Sequence, residues 1–184
     1  MSEMKSGMML IYFNQLSDQR ETFLSSVVEK DVWQRPLPEK WSIGETMYHL
    51  LLLLKRFRQI NVGYLHLAKP LAHLNRQKSF KTESENIYEH YQQHHSRAMK
   101  APPFIKPPSK LQEKITYKDM ITELNVETRK LKSMLSNIDE NIAGHIRYPD
   151  PPAHYPNLIQ AIHLLVIHEQ HHFKLCETYY KETE

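Results

Sequence analysis

Apolar residues recur along this chain at three- and four-residue intervals, the period of a helix with one buried face, and no stretch alternates long enough to suggest a strand. Phe13, Leu16, Arg20, Phe23, Leu24 and Val27 form the first stripe and predict a helix from about Ile11 to Glu29. The second stripe runs through Ile43, Met47, Leu50, Leu51, Leu54 and Phe57. Ser42 and Glu45 supply a capping box at its start, and the helix is expected to reach about Leu67. Met120, Ile121, Leu124, Thr128, Leu131 and Leu135 predict a third helix from Thr116 to about Asn137, with Thr116 and Asp119 in the capping positions. The last helix starts at Asn157, with Gln160 placed to cap it reciprocally, and runs to about Tyr180.

Proline separates these blocks. The eleven prolines cluster between residues 36 and 38, at 70, from 102 to 108 and from 149 to 156, and so mark connections rather than helix interiors. Residues Ala68 to Lys114 are too many for a simple loop. An accessory helix is expected within them, from Ser84 to Lys100, with Ile87, Tyr91 and Ala98 as its apolar positions. Four glycines and no glycine-rich phosphate loop argue against sheet and nucleotide folds. The pattern predicts an all-α protein, a four-helix bundle with a long connection between the second and third helices, forming one domain over residues 1–184.

Charge narrows the partners. The 24 basic and 21 acidic side chains are spread along the whole chain, which lacks the concentrated basic footprint of a nucleic-acid binder. The apolar run from Leu50 to Leu54 meets Lys55, Arg56 and Arg58 at once, so no membrane span is expected. No export signal is read at the N-terminus, and Cys176 as the single cysteine excludes an internal disulfide. The expected setting is the reducing cytoplasm.

Candidate chemistry concentrates in the last helix, where His163, His168, His171 and His172 fall in an otherwise apolar run. His168 and His172, four apart, point the same way one turn apart and can grip one ion, but a catalytic site takes a third protein ligand and keeps a position open. His49, within the apolar run of the second helix, can face them across the packed bundle. Spacing does not choose the third ligand uniquely. His171 could replace His172, and Cys176 continues the series by one turn as a soft ligand or a small core residue. His163 lies about 140° around the helix from His168 and belongs to packing or surface. His90, His94 and His95 repeat the same spacing among polar neighbours, the setting of a solvated helix. Glu45, Glu169 and Tyr48 are weak candidates for a base, and none can be assigned. A neutral set of three histidines suits zinc, nickel, iron or cobalt alike.

The segment Lys40-Trp41-Ser42-Ile43-Gly44-Glu45-Thr46-Met47-Tyr48-His49-Leu50, together with His168-x-x-x-His172, resembles the DinB family. The last motif continues with Phe173-Lys174-Leu175 where the family often has a Gly-Gln pair. The resemblance implies a four-helix bundle with a long crossover between the second and third helices, and a divalent metal held by His49, His168 and His172. It further implies a metal-dependent enzyme of small molecules, first of all one that transfers a low-molecular-weight thiol to an electrophile, with hydrolysis next. The rival class is a non-catalytic, metal-binding, dimeric stress-response module. The partners expected are a small-molecule substrate and, in the rival reading, a second copy of the chain, with neither nucleic acid nor membrane.

Overall fold

Local capping signals start three of the long helices. Ser42 Oγ accepts the Glu45 N–H at 3.1 Å while the Glu45 carboxylate accepts the Ser42 N–H at 2.9 Å, and the same reciprocal pair joins Asn157 and Gln160 at 2.9 and 3.1 Å. Thr116 Oγ1 accepts the Asp119 N–H at 3.1 Å, but the Asp119 carboxylate takes the Thr116 hydroxyl rather than its amide, aspartate being one methylene shorter than the glutamate of a full box. In this computed structural model, residues 7–89 and 101–181 are described. Their helices are α1 (Met8–Ser25), α2 (Ile43–Leu74), α3 (Tyr117–Leu135), the short α4 (Glu140–Ala143) and α5 (Leu158–Lys181). Among the described residues there is no strand, only an isolated bridge between Arg147 and Asn157, so the all-α bundle is what forms. No described helix is long and apolar enough to cross a membrane.

Two boundaries differ from the sequence reading, each for a tertiary reason. Helix α1 begins at Met8 rather than Ile11 because Glu140, far away in sequence, caps it by accepting the Met9 N–H at 3.2 Å. Helix α2 passes through Pro70 and ends at Leu74. Pro70 and His66, whose carbonyl loses its partner, are both exposed to water, while Ala68 and Ala72 on the opposite face are buried and hold the last turns to the bundle. Close to the start of the same helix, a Cβ on Gly44 would lie 2.4 Å from the Trp33 ring, so glycine is what lets the preceding loop fold onto α2.

Contacts fix the helix directions. Tyr12 stacks on His163, Arg20 bonds Glu169 and Phe23 stacks on Phe173, so α1 and α5 run parallel. Lys55 pairs with Glu123 and Arg58 with Glu127, so α2 and α3 run parallel as well. Between those two pairs the sense reverses: Ile43 meets Tyr180, Thr46 meets Cys176 and His49 meets His168. Two parallel helices cannot be joined by a hairpin, so the chain must cross the length of the bundle between the end of α2 and the start of α3. The first part of this crossover lies along α5. The Asn157 side chain donates to the Lys81 carbonyl at 2.7 Å, Gln160 donates to the Glu83 carbonyl at 2.8 Å, and Ser84 donates its hydroxyl to the Gln160 carbonyl at 3.0 Å.

The core between the helices is aliphatic and aromatic, with Leu16, Met47, Leu51, Met120, Leu124, Leu131, Leu158 and Ile162 fully covered. Among the described residues one buried side-chain polar atom is unmatched: the Tyr117 hydroxyl has no hydrogen-bond partner, and burial pushes its pKa up to about 12. A buried hydroxyl without a partner is a net cost. Tyr117→Phe should therefore stabilise the protein by about 1 kcal/mol, read as a rise of about 2–4 °C in Tm by thermal unfolding. A fall in Tm would show that the hydroxyl finds water.

Candidate metal centre

The antiparallel pairing of α2 and α5 places His49 opposite His168 and His172. One ring nitrogen from each lies within 4.8 Å of the other two, and among the described residues these three form the group of histidine, cysteine and acidic side chains that could hold a metal. The rings meet edge to face, with His172 centred 4.8 Å from His49 and 4.6 Å from His168. His49 is buried, while His168 and His172 are partly exposed, so the group lies at the edge of the core with one side toward its surface. Imidazoles are ordinary ligands of first-row divalent ions, and three of them with one side toward the surface match the protein's share of a catalytic site. The residues present fit such an ion.

Donor and acceptor chemistry fixes the protons. His49 Nδ1 lies 2.7 Å from the Ile105 carbonyl, which can only accept, so Nδ1 carries the hydrogen and His49 Nε2 presents a lone pair. His168 Nε2, 2.9 Å from that lone pair, must then donate to it. His168 Nδ1 is left as an acceptor for the Tyr88 hydroxyl, which touches it. A chain of three hydrogen bonds therefore runs from Tyr88 through His168 and His49 to the backbone at Ile105. Burial lowers the pKa of all three histidines. The effect is largest for His168 and His172, where the neighbouring imidazoles add to it, and for His49 the bond to Ile105 opposes it. The group is neutral in the folded protein, as a ligand set must be.

The remaining candidates resolve by position. Trp41, directly before the capping box, packs over the group with its ring 5.0 Å from His49 and 6.3 Å from His172. His171 turns away and stacks on Tyr88 at 4.2 Å. His163 accepts the Ser84 N–H at 2.9 Å and lies against Tyr12, apart from the triad. Cys176 is buried beside Thr46 with its thiol pushed up to about 11 by burial, the environment of a core residue. Tyr48 is partly buried and packs against the core. Glu45 is committed to the Ser42 cap and to Arg35. Burial raises its pKa, but these partners outweigh that and hold it low. Glu169, next to His168 in sequence, points to the opposite side and is bound by Arg20. His90, His94 and His95, with most of the expected accessory helix, lie outside the described residues; residues 87–89 are helical.

Two partners were not foreseen. The Ile105 contact is a backbone carbonyl and has no side-chain signature. Tyr88 belongs to the expected accessory segment, but helical periodicity there says nothing about which face meets α5. A cavity of about 580 Å³ also lies outside the site, between the crossover and the start of α5, lined by Phe80, Ser84, Arg147, His154 and Gln160.

A profile described as the DinB superfamily matches residues 15–176, a span that runs from α1 through the triad to Cys176. No curated protein and no solved structure matches the chain.

Proposed function

Because the chain belongs to the DinB superfamily, we propose that His49, His168 and His172 hold a divalent metal ion that serves an enzyme of small molecules. The observation that carries this reading is the convergence of three neutral imidazoles from two helices, with no carboxylate among them. A neutral donor set leaves the charge of the ion uncompensated, and such an ion favours an anionic ligand: a thiolate formed from a thiol, or hydroxide formed from water. We place thiol transfer first. The thiol gives up its proton to water, and its sulfur bonds to the electrophilic carbon as the leaving group departs with the bond electrons. Trp41 and Tyr88 would supply aromatic walls for an apolar substrate portion, and His49, anchored at Ile105, would keep its ring fixed. Zinc, nickel, iron and cobalt all suit three imidazoles.

The test is metal analysis of the purified protein, followed by assays with low-molecular-weight thiols and a panel of alkyl halides, epoxides and activated esters. Disappearance of free thiol that stops on chelation and returns with the ion supports transfer. Product release without thiol supports hydrolysis, and stoichiometric metal with neither activity favours the non-catalytic module.

A further inference from the structure

The crossover does more than connect α2 to α3. Residues 81–84 are held to α5 by Asn157, Gln160, His163 and the Gln160 carbonyl, and four residues later Tyr88 reaches the metal group. Its ring is fixed from one side by the stack on His171, at 4.2 Å and 10° between planes, and its hydroxyl ends on His168 Nδ1. We propose that Tyr88 is the positioning residue of this centre: its hydroxyl partners His168 Nδ1 whichever ring nitrogen carries the proton, holds that ring in place, and so ties ion binding to the docking of the crossover on α5. The proposal rests on the metal reading of the triad.

The argument follows from what each group can donate. Without an ion, His168 Nε2–H must serve the His49 lone pair, so Nδ1 needs a donor and the phenol supplies one. An ion on Nε2 displaces that hydrogen, and the neutral ring then carries its proton on Nδ1, which needs an acceptor. A hydroxyl rotates to meet either demand. Phenylalanine keeps the ring stack but meets neither, and partners of this kind orient a metal-bound imidazole and raise its basicity.

Zinc affinity of the full chain and of Tyr88→Phe, measured by competition with a chelating dye, should differ by about 10- to 100-fold. Imidazole ¹⁵N shifts add a readout that a purely structural role would not move. In the parent, zinc should move the His168 proton from Nε2 to Nδ1 with Nδ1 hydrogen-bonded in both states, and in Tyr88→Phe the Nδ1 shift should become that of a nitrogen without a hydrogen-bond partner. Ser84→Ala, which loosens the same segment but leaves the hydroxyl, should keep the parent's His168 Nδ1 shift. Equal zinc affinity or an unchanged His168 Nδ1 shift in Tyr88→Phe would overturn the proposal while leaving the metal reading intact. So would a His168 Nδ1 shift in Ser84→Ala equal to that of Tyr88→Phe, which would make docking alone responsible. A parent chain that binds no zinc, cobalt or nickel would overturn the metal reading, and this proposal with it.

Discussion

Glu169→Gln should destabilise the protein by about 3–5 kcal/mol, the cost of leaving a buried guanidinium without its counter-charge. Arg20 is 2% exposed and its five donors are almost fully used: Nε and Nη2 reach the two Glu169 oxygens at 2.6 and 3.1 Å, and Nη1 reaches Asn125 and Thr128 at 3.0 and 2.9 Å. Burial pushes the Glu169 carboxyl upward, and Arg20 opposes that shift. Glutamine keeps the shape but not the charge. The effect should appear in urea unfolding at neutral pH as a lower midpoint with unchanged slope. Replacing both partners, Arg20→Met with Glu169→Leu, should recover most of the loss, because two desolvated charges are then removed together. A loss below about 1 kcal/mol in the single variant would mean that the pair behaves as a solvated surface bridge.

His49→Ala, His168→Ala and His172→Ala should each reduce bound metal from one ion per chain to near zero, while His163→Ala and His90→Ala retain it. Two imidazoles leave a first-row ion under-coordinated, so the three act as a unit. Elemental analysis after dialysis reads the outcome, and a His49→Ala protein with full metal content alongside an empty His171→Ala protein would require a different triad. The pH dependence has a definite sign. Burial depresses the folded-state pKa of His168 and His172 well below 6.5, so occupancy should survive to lower pH than free imidazoles would allow. In the metal-free protein the unfolded chain takes up protons first. The stability contributed by these residues is full above the unfolded pKa of about 6.5 and is lost as pH falls toward the lowered folded values.

Much of this architecture is written in local signals. The Ser42/Glu45 and Asn157/Gln160 boxes act within one turn, so the starts of α2 and α5 can be read directly, and apolar spacing finds the faces that carry His49, His168 and His172. What escapes is set by distant partners: Glu140 capping α1, Ala68 and Ala72 carrying α2 past Pro70, Ile105 offering a carbonyl. Arg20 shows the limit most clearly. Its place in the first apolar stripe marks it as inward-facing, but no spacing rule names Glu169 as the residue waiting there.

The parallel pairing of α1 with α5 and of α2 with α3 also bears on how the chain comes together. The contacts that unite these pairs join residues 149 and 68 positions apart, as in Arg20 with Glu169 and Lys55 with Glu123. A bundle of successive hairpins gains its contacts by closing short loops, whereas this one must close long ones before packing rewards it, which places it among the slower-folding helical topologies. His49 and His168, 119 residues apart, meet only after such a closure. An ion that needs all three imidazoles would have no complete site until then, so its capture would follow folding rather than nucleate it.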